Sequence, residues 1–113
     1  MSIAANIALT AINAFDKKSS ITANNIANVN TDGFKKSRAV IKEKETSGVS
    51  ISSEQVNTPS DIVTIGGVDR EASNVNLEEE LIALMTNKNN YEANLMTVKA
   101  ADEREKTLFD IMA

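Results

Sequence analysis

The chain has 113 residues and 12.2 kDa, enough for one domain and too short for two of ordinary size. It holds no Cys and no His and carries a net charge of −4, which excludes disulfides, thiol chemistry and zinc or iron–sulfur clusters, removes the usual neutral-pH base, and disfavours a phosphate-held nucleic-acid binder. Apolar residues make up 42% but aromatics only 4%, so Ala, Ile, Val, Leu and Met must bury what rings normally would, an economy that suits helices packed along a line.

Residues 1–45 carry seven basic and four acidic side chains, and residues 46–113 carry five and twelve. A basic front half at +3 therefore faces an acidic back half at −7. The two halves attract, within a subunit or between neighbours, and salt weakens the attraction. Composition divides the chain in three: an N-terminal segment 1–33, an irregular middle 34–75 and a C-terminal segment 76–113. The fold class expected is mainly α, with two long terminal helices pairing as a coiled coil around a short β or irregular middle.

From Ser2 to about Asn28 the pattern is helical. At 100° per residue, Ala4, Ala8, Ala11, Ile12, Phe15, Ile26 and Val29 share one side, flanked by Ile3, Ile7, Ala14 and Ile21. Ser2, Asn6, Asn13, Asp16, Lys17, Ser20 and Asn24 fall opposite, while Lys18, Ser19 and Thr22 interrupt the apolar face. Small Ala residues let a second helix approach closely. Ile7, Ala8, Ala11, Phe15 and Ile26 are the packing candidates.

The turn that follows reads Ala23-Asn24-Asn25-Ile26-Ala27-Asn28-Val29-Asn30-Thr31-Asp32-Gly33-Phe34-Lys35. Short amides bond to nearby backbone where a helix ends, and Asp-Gly supplies a position tolerant of positive φ. Phe34 is placed to fold back over that end. In the middle, Phe34–Lys44 reads as extended, Gly48–Ser52 alternates as a strand does, and Ile62–Ile65 is a β-branched run closed by Gly66-Gly67. Two to four short strands are expected, with little core of their own.

Asn76 reads as the N-cap of the C-terminal helix, with Glu79 at capping-box spacing and Glu78, Glu79 and Glu80 where the helix dipole favours negative charge. An apolar seam with alternating spacings of four and three follows, Leu77, Leu81, Leu84, Tyr91, Leu95, Val98 and Phe109, with Lys88, Asp102 and Glu105 in the skipped positions. A weaker face, about 140° round, holds Ile82, Met85, Met96, Ala100 and Ile111. One face is expected on the chain's own first helix and the other on a neighbouring subunit. Lys99–Glu103 and Asp102–Lys106 are candidate i,i+4 pairs. As one helix, the segment would run roughly 54 Å at ~1.5 Å per residue.

The stretch from Ala23 to Lys35 resembles the N-terminal signature of the bacterial flagellar axial proteins, the rod and hook family. There an Ala-Asn-Asn-Ile-Ala-Asn run leads to Thr-x-Gly-Phe/Tyr-Lys. Ala23, Asn24, Asn25, Ile26, Ala27, Asn28, Thr31, Gly33, Phe34 and Lys35 carry the likeness. Ser73–Leu81 resembles the family's entry into its C-terminal helix, and Tyr91-Glu92-Ala93-Asn94 with Ala101-Asp102-Glu103 resembles its interior. Residues 46–70 match no part of the pattern.

The resemblance implies a non-enzymatic structural subunit of the flagellar basal-body rod, nearest the proximal rod proteins. Its terminal helices would pair as a coiled coil lining a hollow, torque-transmitting polymer, with the middle as an outer layer. It also implies ends that order on assembly, partners among its own copies and other rod or axial proteins, and passage through the flagellar export apparatus to the periplasmic rod. The start Met1–Asn6 lacks a basic n-region and no run reaches ~18 apolar residues, so neither a cleavable signal nor membrane insertion is expected.

Other readings are poorer in residues. A non-polymerising helical adaptor or export-linked regulator would reuse the same ends. Nucleic-acid binding has only Phe34-Lys35-Lys36-Ser37-Arg38 to offer, against an acidic remainder. Catalysis lacks a phosphate loop, a nucleophile motif and converging carboxylates, since Asp102 and Glu103 are adjacent on a helix and point apart. No catalytic residue, cofactor site or metal site is assigned.

Overall fold

A computed structural model describes residues 2–112. Its order is α1 (Ile3–Ala27), β1 (Ser37–Glu43), β2 (Val49–Gln55), β3 (Ile62–Ile65), β4 (Val68–Glu71) and α2 (Leu77–Met112). The helices hold 25 and 36 residues, and the strands form two separate antiparallel hairpins, β1–β2 and β3–β4. The helix-rich plan with a β middle is as expected.

Capping chemistry sets the helix limits. Ser2 stands just outside α1, and its Oγ accepts from Ala5 N–H at 3.1 Å. At the other end Asn28 N–H donates to the Asn25 carbonyl at 3.1 Å and Val29 N–H to the Ile26 carbonyl at 3.2 Å, and Gly33 takes a φ of 71° in the turn beyond. Asn76 Oδ1 accepts from Glu79 N–H at 3.2 Å, opening α2. The Glu79 carboxylate lies 3.9 Å from Lys36 Nζ. Only the forward half of the expected capping box is seen.

The helices run antiparallel. Asn25 near the end of α1 touches Glu80 near the start of α2, and Ser2 and Ala4 share a groove with Leu108 and Ile111 at the other end. α1 lies between α2 and the β1–β2 hairpin, and α2 packs on α1 alone among the elements. Two sides of α1 are therefore covered. Ala5, Ala8 and Ile12 are buried on one, and Ala14, opposite them by helical geometry, is buried near Ile51 of β2.

β1 and β2 pair from Ser37↔Gln55 to Glu43↔Val49. Their turn rests on α1: Thr10 Oγ1 accepts from Val49 N–H at 3.2 Å and itself donates to the Ile7 carbonyl at 2.7 Å. Gly48, at φ 88°, sits so close to Thr10 that a Cβ there would collide with its side chain. β3 and β4 join through Gly66-Gly67 at φ 59° and 78°, the double positive φ of a type I′ hairpin turn. That hairpin packs on no other element, and Ile62, Val63, Ile65 and Val68 are exposed on it.

The body measures 78 × 26 × 14 Å with a radius of gyration of 19.9 Å, against about 13 Å for a compact chain of this length. The elongated form follows from α2, ~54 Å long at 1.5 Å per residue. All four described ion pairs join residues 1–45 to residues 46–113: Lys35–Glu71, Lys36–Glu79, Arg38–Glu54 and Arg70–Asp32. Three of them run from the basic half to the acidic half, and Arg70–Asp32 runs the other way. Neither Lys99–Glu103 nor Asp102–Lys106 closes as an ion pair among the described residues.

Candidate functional site

Two asparagines lock the ends of the chain together. Asn25 is 1% exposed and lies where α1 turns from its α2-facing side toward the sheet. Its Oδ1 accepts from Ser37 N–H at 3.0 Å, and its Nδ2 donates to the Ser37 carbonyl at 2.7 Å and to Glu80 Oε1 at 3.2 Å. One amide thus ties α1 to the first residue of β1 and to the first turn of α2. A primary amide supplies a donor and an acceptor side by side, which a carboxylate cannot match.

Asn74 plays the matching part from the C-terminal side. Its Oδ1 accepts from Lys36 N–H at 2.6 Å, and its Nδ2 donates to the carbonyls of Val56 at 2.8 Å and Thr58 at 3.1 Å. Its own N–H donates to the Phe34 carbonyl at 3.2 Å, while Gly33 N–H donates to the Glu71 carbonyl at 2.7 Å. Residues 33–36 therefore run beside 71–74 and stay outside the β1–β2 sheet, so the extended stretch expected from Phe34 starts as strand only at Ser37. Phe34 is half-buried.

Lys35 and Glu71 close this junction. Their ammonium and carboxylate are in direct contact, Lys35 Nζ also donates to the Thr58 carbonyl at 3.3 Å, and Ser60 N–H donates to the Glu71 carboxylate at 3.0 Å. The Lys35 hydrogen bond, and after it the Ser60 N–H, hold the Glu71 carboxyl below the ordinary carboxylate range, against a smaller opposing effect of burial.

The other motif residues shape the turn. Asn28 Nδ2 donates to the Asn24 carbonyl at 2.9 Å, and Thr31 Oγ1 donates to Asn28 Oδ1 at 3.1 Å. Ala23, Asn24, Ala27, Thr31 and Gly33 are exposed, whereas Ile26, Asn28 and Lys35 are half-buried. Asn74, Glu71 and Ser60 were not singled out by sequence reasoning. Asn74 sits inside the Ser73–Leu81 stretch, but nothing in its spacing reveals that its amide would span three strands of backbone.

The packing candidates divide. Ala8 is buried, Ala11, Phe15 and Ile26 are half-buried, and Ile7 is exposed. On α2 only Leu84 and Val98 of the seam are half-buried, while Leu77, Leu81, Tyr91, Leu95 and Phe109 are exposed. The stripe of α2 that does lose exposure runs through Glu80, Leu84, Asn87, Asn94, Val98, Ala101 and Glu105. It is largely polar or small, shares Leu84 and Val98 with the seam, and at 100° per residue is centred about 60° from it. Hence the helices pair along one edge of the expected seam, at Leu84 and Val98, and not through its centre. The weaker face is exposed too, at Ile82, Met85, Met96, Ala100 and Ile111.

No group of three or more His, Cys, Asp or Glu suited to a metal ion occurs among the described residues, and no described helix is long and apolar enough to cross a membrane.

Two family profiles match the chain. Residues 6–35 match the family described as Flagella basal body rod protein, and residues 70–111 match Flagellar basal body rod FlgEFG protein C-terminal. No curated protein matches significantly. The matched segments meet at the junction described above, where Gly33–Lys35 of the first contact Glu71–Asn74 of the second.

Proposed function

The chain belongs to the flagellar basal-body rod protein family, and on that premise we propose that it is a non-enzymatic structural subunit which polymerises through its terminal helices into the rod. The carrying observation is the exposed seam on α2. Leu77, Leu81, Tyr91, Leu95 and Phe109 lie exposed along one side of a helix whose packed stripe adjoins it. An apolar row left open along a helix, interrupted at Lys88 and Asp102, supports a protein–protein interface.

Burying that row against neighbours would supply the association free energy, at about 25 cal/mol per Å² of apolar surface. The finer reading follows the family resemblance. The polymer is hollow and transmits torque, its neighbours are copies of this chain and other rod proteins, and the subunit passes the flagellar export apparatus uncleaved to the periplasmic rod. The small middle favours a proximal position. The exposed β3–β4 hairpin and the β1–β2 hairpin form the outer layer, and the two asparagine locks hold that layer to the helices. Exposed Ile7 serves the helix side of the interface, while Ala8, Ala11, Phe15 and Ile26 serve the packing of α1.

A deletion strain tests this reading. It should stop basal-body assembly within the rod and lose motility, and complementation should restore both. Complete rods in the deletion strain would contradict it.

A further inference from the structure

One cleft of the molecule holds polar groups that its own fold leaves unanswered. It measures about 490 Å³ and lies among the end of α1, the start of β1 and the first turns of α2, with Lys18, Lys36, Arg38, Glu80 and Asn87 on its walls. Asn87 is 2% exposed, and its Nδ2 has no acceptor. Buried donors nearly always find a partner, so this amide is an exception that asks for one.

The charges around it point the same way. Lys36 approaches Glu79 and Arg38 binds Glu54, but Lys18 makes only a ring contact, 5.5 Å from the centre of Phe15, with no carboxylate among the described residues. The cleft's one acid, Glu80, is engaged by Asn25. Lys18 without a carboxylate and an amide donor without an acceptor form a site for a carboxylate.

We propose that the cleft receives the acidic stretch Asp102-Glu103 of α2 from a second copy of this chain. Both side chains are exposed and neither has an ion-pair partner among the described residues. They cannot serve their own cleft. Fifteen residues along the same helix separate Asn87 from Asp102, or ~22 Å at 1.5 Å per residue. Cleft and acid are therefore separate sites on one subunit, too far apart to meet each other. Such a contact joins two different surfaces and is heterologous, so each copy can accept one neighbour and engage another. The inference rests on the self-assembly reading above and adds to it a polar contact that sets direction.

Sedimentation velocity on the full chain tests it with two variants, Lys18→Glu for the cleft and Asp102→Asn/Glu103→Gln for the acid. Circular dichroism establishes that each still folds. Each alone should need about tenfold more protein than wild type to associate, since one charge match is lost at every contact. Mixed one to one, at a concentration where each alone is monomeric, they should form heterodimers and nothing longer, because only one intact cleft and one intact acid can meet. In the mixture the Asn87 side-chain amide resonances should shift. A mixture that stays monomeric, variants that associate like wild type, or an Asn87 amide that contacts water alone would each overturn the proposal. Wild-type association unaffected by both variants sinks this contact only, whereas a wild type that never associates sinks the self-assembly reading itself.

Discussion

The side-chain amide of Asn25 pairs with the main chain of Ser37 as a neighbouring strand would, accepting from its N–H at 3.0 Å and donating to its carbonyl at 2.7 Å. One side chain thereby fastens the outer strands to the helical hairpin. Asn25→Ala would strand both Ser37 groups, and Asn25→Asp would keep the acceptor but set a carboxylate against the Ser37 carbonyl and Glu80. Loss of about 2–3 kcal/mol is expected for Ala and at least as much for Asp, since each unmet buried group costs ~1–3 kcal/mol. Urea unfolding measures both, and an Asp variant as stable as wild type would refute the pairing.

Gly48 reports on the seating of the β1–β2 turn against α1. A methyl there meets Thr10 while the backbone holds φ at 88°, so Gly48→Ala should cost roughly 2–4 kcal/mol from overpacking and left-handed strain together. Adding Thr10→Ala should recover the steric part and leave the strain. Coupling of about 1 kcal/mol or more is expected between the two changes in a double-mutant cycle. Strict additivity would mean that the turn does not rest on Thr10.

Glu71 gives the junction a pH dependence. Its carboxyl titrates below the ordinary value of 4.5 because Lys35 and then the Ser60 N–H favour the charged form. With a folded value below the unfolded one, the carboxylate's contribution is complete above the ordinary range and is lost as pH falls from about there through the lower folded value. Glu71→Gln should therefore be less stable than wild type at neutral pH, and the gap should narrow steadily under acid. Parallel denaturation curves at pH 7 and below 4.5, with an unchanged gap, would remove Glu71 from the account.

Asn87 should behave oppositely in the monomer and in the assembly. Asn87→Leu removes a buried donor that lacks an acceptor, so the isolated chain should gain about 1 kcal/mol or more. Association should weaken at the same time, because the replacement offers an incoming carboxylate nothing. A variant that loses monomer stability would show that the amide is satisfied within the subunit.

Much of the fold was legible because local chemistry decides it. Ser2 and Asn76 stop the helices by capping, Gly33 and Gly66-Gly67 take the positive φ that their turns require, and β-branched runs mark the strands. The seam was legible as a seam, but its partner was not. Periodicity finds an apolar face without saying whether the chain's own helix or a neighbour covers it, and α1 instead meets the stripe through Asn87 and Asn94. The asparagine locks were hidden for a related reason. The family motif marks Asn25, yet its bonds to Ser37 and Glu80 span 12 and 55 residues, and Asn74 reaches Lys36 across 38. No local pattern encodes contacts at those separations.

The central claim is that the exposed side of α2 is the assembly face, and Leu95→Asp tests it most directly. Leu95 is exposed in the subunit, so the variant should match wild type in helix content and urea midpoint. Sedimentation velocity and electron microscopy of the two proteins across a concentration series should then show wild type assembling and Leu95→Asp remaining monomeric. Assembly of Leu95→Asp at wild-type concentrations would contradict the account.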